Sequence, residues 1–238
     1  MTPSVRRLDW DSAFFGFPIA QAQAATPDDV ASIDEWAEQE SVRCLYLLVS
    51  MNELCAIQAA EQRGFFLTAV RPTCRSVAPF DLSESKSAPV AIHTARLSDL
   101  PALKKIASQA HNETRFYKDP HFSREACDRL YETWVERSCE GWAAQVLVAE
   151  GDRTVSGYIT LHRPAADRGT IGLFAVARDA RGTGVGRRLI TAAMRWFDGE
   201  GVSDVSVATQ AHNVAALRAY QRGGFMVSAV DVWLHKWF

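Results

Sequence analysis

Two clusters of residues in this 238-residue chain are spaced to do chemistry. The first is Phe174-Ala175-Val176-Ala-Arg-Asp-Ala-Arg181-Gly182-Thr183-Gly184-Val185-Gly186-Arg187-Arg188, an apolar run ending in a glycine-rich turn that opens into a helical pattern. Glycines let the backbone approach a ligand closely and point successive N–H groups into one concavity. The helix N-terminus behind them adds about half a positive charge. With three arginines at the same point, the segment predicts a pyrophosphate site; the alternative is a turn in which glycine only relieves strain. The second cluster is Asn213-x-x-Ala216-x-x-x-Tyr220-x-x-x-Gly224-Phe225. On a helix, Asn213 and Tyr220 project within about 20° of each other and share a face. A phenol with a pKa of about 10 is a competent proton donor to a departing thiolate at neutral pH. The alternative reading of Tyr220 is a core tyrosine with a satisfied hydroxyl.

Other chemistries fail on spacing or composition. A dinucleotide fingerprint needs G-x-G-x-x-G, whereas Gly182, Gly184 and Gly186 are evenly spaced, and no Lys-Ser/Thr follows to make a P-loop. The five cysteines are dispersed without a C-x-x-C pair, so no metal site is expected. Their odd, scattered use suits a reducing cytoplasm. A net charge of -2 offers no basic field for nucleic acid. The N-terminal residues carry Asp9 and Asp11 where a secretory signal needs an apolar stretch, and no apolar run is long enough to span a membrane. The expectation is a cytoplasmic protein with neither nucleic-acid nor membrane partners.

The first cluster, Arg181-x-x-Gly184-x-Gly186, matches the R/Q-x-x-G-x-G/A turn of the Gcn5-related N-acetyltransferase (GNAT) family, and the second reproduces that family's N-x-x-A-x-x-x-Y-x-x-x-G-F stretch. The resemblance implies an acetyl-CoA-dependent acyltransferase without a metal. Its cofactor would pair with the backbone around Phe174, Ala175 and Val176, and its pyrophosphate would rest on the turn from Arg181 through Gly182, Thr183, Gly184, Val185 and Gly186 to Arg187. Asn213 would help hold it. The substrate amine would attack the thioester directly, a backbone N–H near the end of the 169–177 strand would stabilise the oxyanion, and Tyr220 would protonate the sulfur.

Further segments resemble the dTDP-fucosamine acetyltransferases, a resemblance that covers nearly the whole chain. They are Trp10-Asp-Ser-Ala-Phe14-Phe15-Gly16, Arg115-Phe116-Tyr117-Lys-Asp119-Pro120-His-Phe122, Tyr131-x-x-Trp134-Val-Glu136 and Ala208-Thr209-Gln210-x-x-Asn213. This implies a nucleotide-linked amino sugar as acceptor, a role in bacterial surface polysaccharide synthesis, and a homodimer. Arg115 would supply a guanidinium for a diphosphate and Phe116 and Tyr117 would stack on sugar or base; alternatively the rings anchor a loop to the core. Phe14, Phe15 and Phe17 read as packing residues. Neither motif supplies a general base. His162 is the first candidate, in the substrate site, with Glu113 and His111 behind it, and water also suffices for a sugar amine. A protein or peptide N-acetyltransferase and a non-catalytic CoA-binding module remain alternatives.

Positioning these groups requires an α/β architecture with a mixed sheet. The pattern predicts strands at 44–50 and 65–70 around a helix at 53–63. After the Ser-rich seam at 79–89 it predicts a strand at 90–95, a helix capped by Ser98 or Asp99, and a helix at 123–138. Strands then fall at 145–150, 154–162 and 169–177, followed by a helix at 185–198, a strand at 203–209, a helix at 213–222 and a strand at 225–236. The division is an N-terminal α/β domain, 1–85, and a GNAT domain, 90–238. Leu45–Phe65 echoes Val205–Phe225, so the first domain reads as a degenerate half-copy, or as any strand-helix-Gly-strand unit. Ala60 falls opposite Tyr220, and the copy lacks the phenol.

Overall fold

The computed structural model describes residues 4–82 and 90–238. In chain order the elements are β1 (Ser4–Arg7), α1 (Asp9–Phe15), β2 (Ile19–Ala24), α2 (Pro27–Gln39), β3 (Cys44–Ser50), α3 (Leu54–Gln62), β4 (Phe66–Val77), β5 (Ala91–Thr94), α4 (Leu100–Ala110), α5 (Arg115–Lys118), α6 (Arg124–Arg137), β6 (Gln145–Gly151), β7 (Thr154–Ala165), β8 (Arg168–Val176), α7 (Val185–Gly199), β9 (Asp204–Ala208), α8 (Val214–Arg222) and β10 (Met226–Trp237). From β3 onward these follow the expected order, apart from the short α5. The strand expected at 65–70 runs on to Val77 because Pro72 breaks no ladder. On its open side β9 has ended at Ala208, and the Pro72 carbonyl still accepts from the Thr209 N–H. The seam residues 83–89 lie outside the described residues.

All ten strands join one sheet in the order β1-β2-β3-β10-β4-β9-β8-β7-β6-β5. β10, from beyond the seam, lies between β3 and β4, from before it, antiparallel to both. Alternation along the strands sends side chains to two helical layers. Leu45, Leu47 and Val49 of β3 face α2 and α3, while Cys44 and Tyr46 face the cluster holding Leu103 and Ala107 of α4 and Leu130 of α6. Ile159 and Leu161 of β7 face α7, which buries Val185, Leu189, Ile190, Ala193, Met194 and Phe197 along one side. Cys74, Val70, Val232 and Leu234 lie on one face through the β4–β10 register, so α2, α3, α7 and α8 share that face; α1, α4, α5 and α6 occupy the other.

The halves repeat each other. β2-α2-β3-α3-β4 and β8-α7-β9-α8-β10 each begin with a parallel pair of strands. Their last strands are exchanged: β10 pairs with β3, and β4 with β9. The two exchanged strands meet at the middle of the sheet, where Arg71 lies opposite Asp231 and bonds its carboxylate at 3.1 Å. Local backbone details recur at equivalent positions. Val42 N–H donates to the Ala37 carbonyl as Val202 N–H does to Phe197, and Phe65 N–H donates to Ala60 as Phe225 N–H does to Tyr220. Gly64 and Gly224 precede those phenylalanines at φ 84° and 83°.

Candidate active site

β8 and β9 pair only from Arg168↔Asp204 to Ile171↔Val207 and then part. A bulge opposite Thr160 places Gly172 and Leu173 of β8 where the partner strand has one residue, and the Leu173 N–H donates to the Thr160 hydroxyl at 2.7 Å. Farther along, the Ala177 N–H donates back to the Ser156 carbonyl of β7. Backbone groups alternate sides along a strand, so the N–H groups of Phe174 and Val176 point to the opened side, where no strand accepts them. The gap therefore exposes a short ladder edge inside the sheet. The expected cofactor-pairing residues Phe174–Val176 sit on it.

The glycine turn lies at the end of this edge. Gly182 and Gly184 have φ of 80° and 95°, in the left-handed region that glycine occupies without strain. Gly184 is the N-cap of α7 and offers no side chain to its free N–H groups; no acidic residue stands in the first turn. Gly186 lies close under Phe174, whose ring would be 3.1 Å from an added Cβ. Thr183 turns its hydroxyl to the Ala180 carbonyl, and Val185 is buried in the core, so both offer the site backbone alone. Arg181 and Arg187 are exposed, the former bonded to the Val176 carbonyl at 3.3 Å. The helix start is thus an open anion site flanked by cations.

Beyond the edge are two adjoining cavities, of about 520 and 190 Å³. The larger takes in Phe174, Val176, Arg181, Gly182, Gly186 and Asn213; the smaller takes in Gly172, Phe174, Asn213, Ala216 and Tyr220. The smaller also touches Tyr131 and Trp134 of α6, so it passes through the gap in the sheet from one helical layer to the other. Asn213 and Tyr220 share a face, as their spacing requires. The Asn213 side-chain oxygen caps α8 by accepting from the Ala216 N–H at 3.1 Å, which leaves its amide NH2 for the cavity. Tyr220 is 4% exposed, its ring 5.8 Å from that of Phe174. Burial, with nearby Cys74, raises its pKa, so the phenol keeps its proton at neutral pH.

The expected acceptor-side residues are placed differently. Arg115, Phe116, Tyr117 and His162 do not line these cavities. The Arg115 guanidinium sits 4.2–4.4 Å from the ring centres of Trp233, Tyr46 and Phe116 and is 3.3 Å from His235 Nε2. His235 in turn bonds Asp119, which also accepts from Trp237 and His121. Phe116 is buried among Phe15, Phe122 and Trp134, and the Tyr117 hydroxyl donates to Asp128 at 2.6 Å. His162 lies behind Gly172: a Cβ there would meet its Nε2 at 2.5 Å. Of the other candidate bases, His111 and Glu113 do reach the cavities. Burial lowers the His111 pKa to about 4, and its Nε2 is 3.1 Å from the Tyr158 hydroxyl. Glu113 bonds Lys118 at 2.8 Å, which holds its carboxyl below the usual range, and lies 3.4 Å from His212 across the larger cavity's mouth. Thr114, Trp134, Thr209 and Gln210 complete the inner wall. Trp134, Thr209 and Gln210 stand in the resembling segments but carry no role there, and Thr114, the N-cap of α5, is in none of them, because no local spacing shows that α5, α6 and the end of β9 converge on one cavity.

Comparisons with known proteins show the family. The model of the acetyltransferase (GNAT) family matches residues 106–225. The chain is 31% identical over 237 residues to the dTDP-fucosamine acetyltransferase of Escherichia coli O6:H1, covering 98% of each. It is 29% identical over 140 residues to the spore coat polysaccharide biosynthesis protein SpsD of Bacillus subtilis, covering 58% of this chain and 48% of that one. Among solved structures, a GCN5-related N-acetyltransferase from Sphaerobacter thermophilus superposes with a TM-score of 0.70 at 18% identity, covering 99% of this chain and 76% of the other. A tandem GNAT protein from the clavulanic acid biosynthesis pathway superposes at 0.61 and 16% identity, covering 93% and 76%. Among the described residues no helix is long and apolar enough to cross a membrane. With the opened strand pair, the uncapped glycine turn and the buried tyrosine all in place, the chain belongs to the Gcn5-related N-acetyltransferase family and is an acyltransferase.

Proposed function

We propose that this enzyme acetylates the amine of a nucleotide-linked amino-dideoxy sugar, of the dTDP-4-amino-4,6-dideoxyhexose class, in bacterial surface polysaccharide synthesis. The full-length similarity to dTDP-fucosamine acetyltransferase supports the acceptor class, and the through-sheet cavity supports the reaction. Acetyl-CoA, when bound, supplies an activated acetyl thioester. The N–H groups of the 182–186 turn hold its pyrophosphate, and Val176 N–H and the Asn213 amide hold its arm. Phe174 N–H, unpartnered and beside Tyr220, faces the oxygen on which charge develops. Tyr220, kept protonated by its burial, gives its proton to the leaving sulfur. Neither cysteine nor serine lines the two cavities, so direct attack by the amine fits the site better than an acetyl-enzyme.

The observation that carries this reading is buried Tyr220 in the wall of a cavity that is lined from both helical layers. Thiol release from acetyl-CoA is to be followed with dTDP-linked and UDP-linked 4-amino-sugars, the unlinked sugar and a lysine peptide. The dTDP-linked substrate should exceed the peptide in kcat/KM by on the order of a hundredfold. A preferred peptide amine, or acetyl-CoA binding with no thiol release from any amine, would overturn it. We further propose a homodimer, which sedimentation tests directly.

A further inference from the structure

The smaller cavity reaches Tyr131 and Trp134 on the layer of α1 and α6, an end that can serve as a mouth and that none of the expected cofactor residues lines apart from Phe174 and Asn213 farther in. Six residues lie at or next to this end, of which Trp134 and Gly172 line the cavity itself. Trp134, which lines the cavity, contacts Trp10 at 6.4 Å between rings. The Arg137 guanidinium, one turn along α6 from Trp134, lies 5.2 Å from the Trp10 ring centre and 6.0 Å from that of Trp142. The Trp142 ring meets His162 at 5.3 Å, and His162 backs onto Gly172 in the cavity wall.

Two features of this ring lack an account in packing. Trp142 is 53% exposed, presented by a turn in which Gly141 takes φ 104°. A large indole left half in water on a folded surface is an informative exception. Arg137 makes no ion pair among the described residues, although it stands beside an opening. The neighbouring Glu136 is taken by Lys104 at 2.7 Å. A guanidinium without a carboxylate, held between two indole faces, is suited to an anion carried by a planar aromatic group.

We propose that this mouth binds the nucleoside diphosphate of the acceptor, Arg137 holding the diphosphate and Trp142 stacking on the base. The assignment rests on the nucleotide-sugar reading above. It places the nucleotide outside the sheet and the sugar amine inside the gap, with the cofactor arriving from the α7–α8 layer. Arg115 then serves the fold between the halves. His162 positions Trp142 against the mouth, and Gly172 is small so that His162 can close behind the cavity wall. The two substrates meet from opposite layers, and neither has to leave for the other to enter.

The test uses dTDP as a dead-end inhibitor of the intact enzyme, with Trp142→Ala and Arg137→Gln as variants. Trp142 is largely solvated, so its removal leaves the core intact. Each variant should weaken dTDP inhibition and raise the KM for the dTDP-linked amino sugar by about tenfold, the loss of one stacked or charge-assisted contact. The acetyl-CoA Kd should stay within about twofold of the parent. Unchanged dTDP inhibition in both variants would overturn the site while leaving the nucleotide-sugar reading standing. A parent enzyme that turns over unlinked amino sugars and ignores dTDP and UDP would overturn both. A fall in dimer mass for Trp142→Ala with unaltered KM would show instead that the indole lies between two copies.

Discussion

The two halves of the sheet begin alike and differ at one place, the exit from their parallel strand pairs. In the first half β2 stays paired to β3 from Ile19↔Cys44 through Ala24↔Val49, so no edge is exposed. In the second half β9 pairs with β8 only as far as Val207, and β8 runs on paired to β7 on one side and bare on the other. The helix starts differ in the same sense. At α2, Thr26 accepts from Asp29 N–H while the Asp29 carboxylate accepts from the N–H groups of Ala25 and Thr26, so an internal anion occupies the terminus. The Ala25 bond, followed by those with Thr26, holds the Asp29 carboxyl below its ordinary range. At α7, glycine replaces the cap and the terminus is left for a ligand. Ala60 stands where Tyr220 would be. The helix start that binds its own carboxylate in one copy is left open in the other, where we propose that a phosphate takes the carboxylate's place.

The largest expected effect comes from making the second half resemble the first. Gly184→Val puts a β-branched side chain at φ 95° and into the concavity, and should weaken acetyl-CoA binding by more than about a hundredfold in calorimetry. A folded variant that binds like the parent would remove the turn from the cofactor site. Tyr220→Phe imitates Ala60 more gently, keeping the ring and losing only the proton. Single-turnover acetylation should slow by about 10²–10⁴-fold with little change in acetyl-CoA affinity. A rate within about threefold of the parent would exclude the phenol from proton transfer. The smallest effect comes from the reverse change. Thr26→Ala should cost about 1 kcal/mol in denaturant unfolding, and the double variant with Asp29→Ala should still bind one acetyl-CoA per chain, because β2 remains zipped to β3. A second binding event would show that the helix start, and not the splay, decides which half is active.

Much of this contrast could be read from residue order. The glycine spacing gave the turn, the Asn213–Tyr220 spacing gave the shared face, and the echo of Leu45–Phe65 in Val205–Phe225 gave the repeat. These signals are local, carried by backbone conformation or helical period. The first 43 residues were not divided into elements, although Thr26-Pro27-Asp28-Asp29 carries a capping box that marks the start of α2. Arg115 shows the opposite limit. Its type suggested a diphosphate, yet its surroundings are set by Tyr46 and Trp233, which reach it only through the β3–β10 pairing. No spacing near residue 115 announces partners so distant in the chain. The proposed acceptor wall has the same origin, since Trp10 and Trp134 come from opposite sides of the seam.

The exchange of β4 and β10 also sets an order of events during synthesis. A ribosome releases β3 and β4 well before β10, and the place between them is empty until every other described strand has been made. Until then β3 has one bare edge beside a continuous apolar run, Cys44–Ser50, the kind of edge that pairs with a neighbouring chain. The centre of the sheet is therefore the last part to close, through contacts far apart in sequence that make folding slow. Once β10 is in, the same strand ties both halves together, so neither can loosen without the other. The cleft that serves catalysis is held open by a sheet whose keystone arrives late.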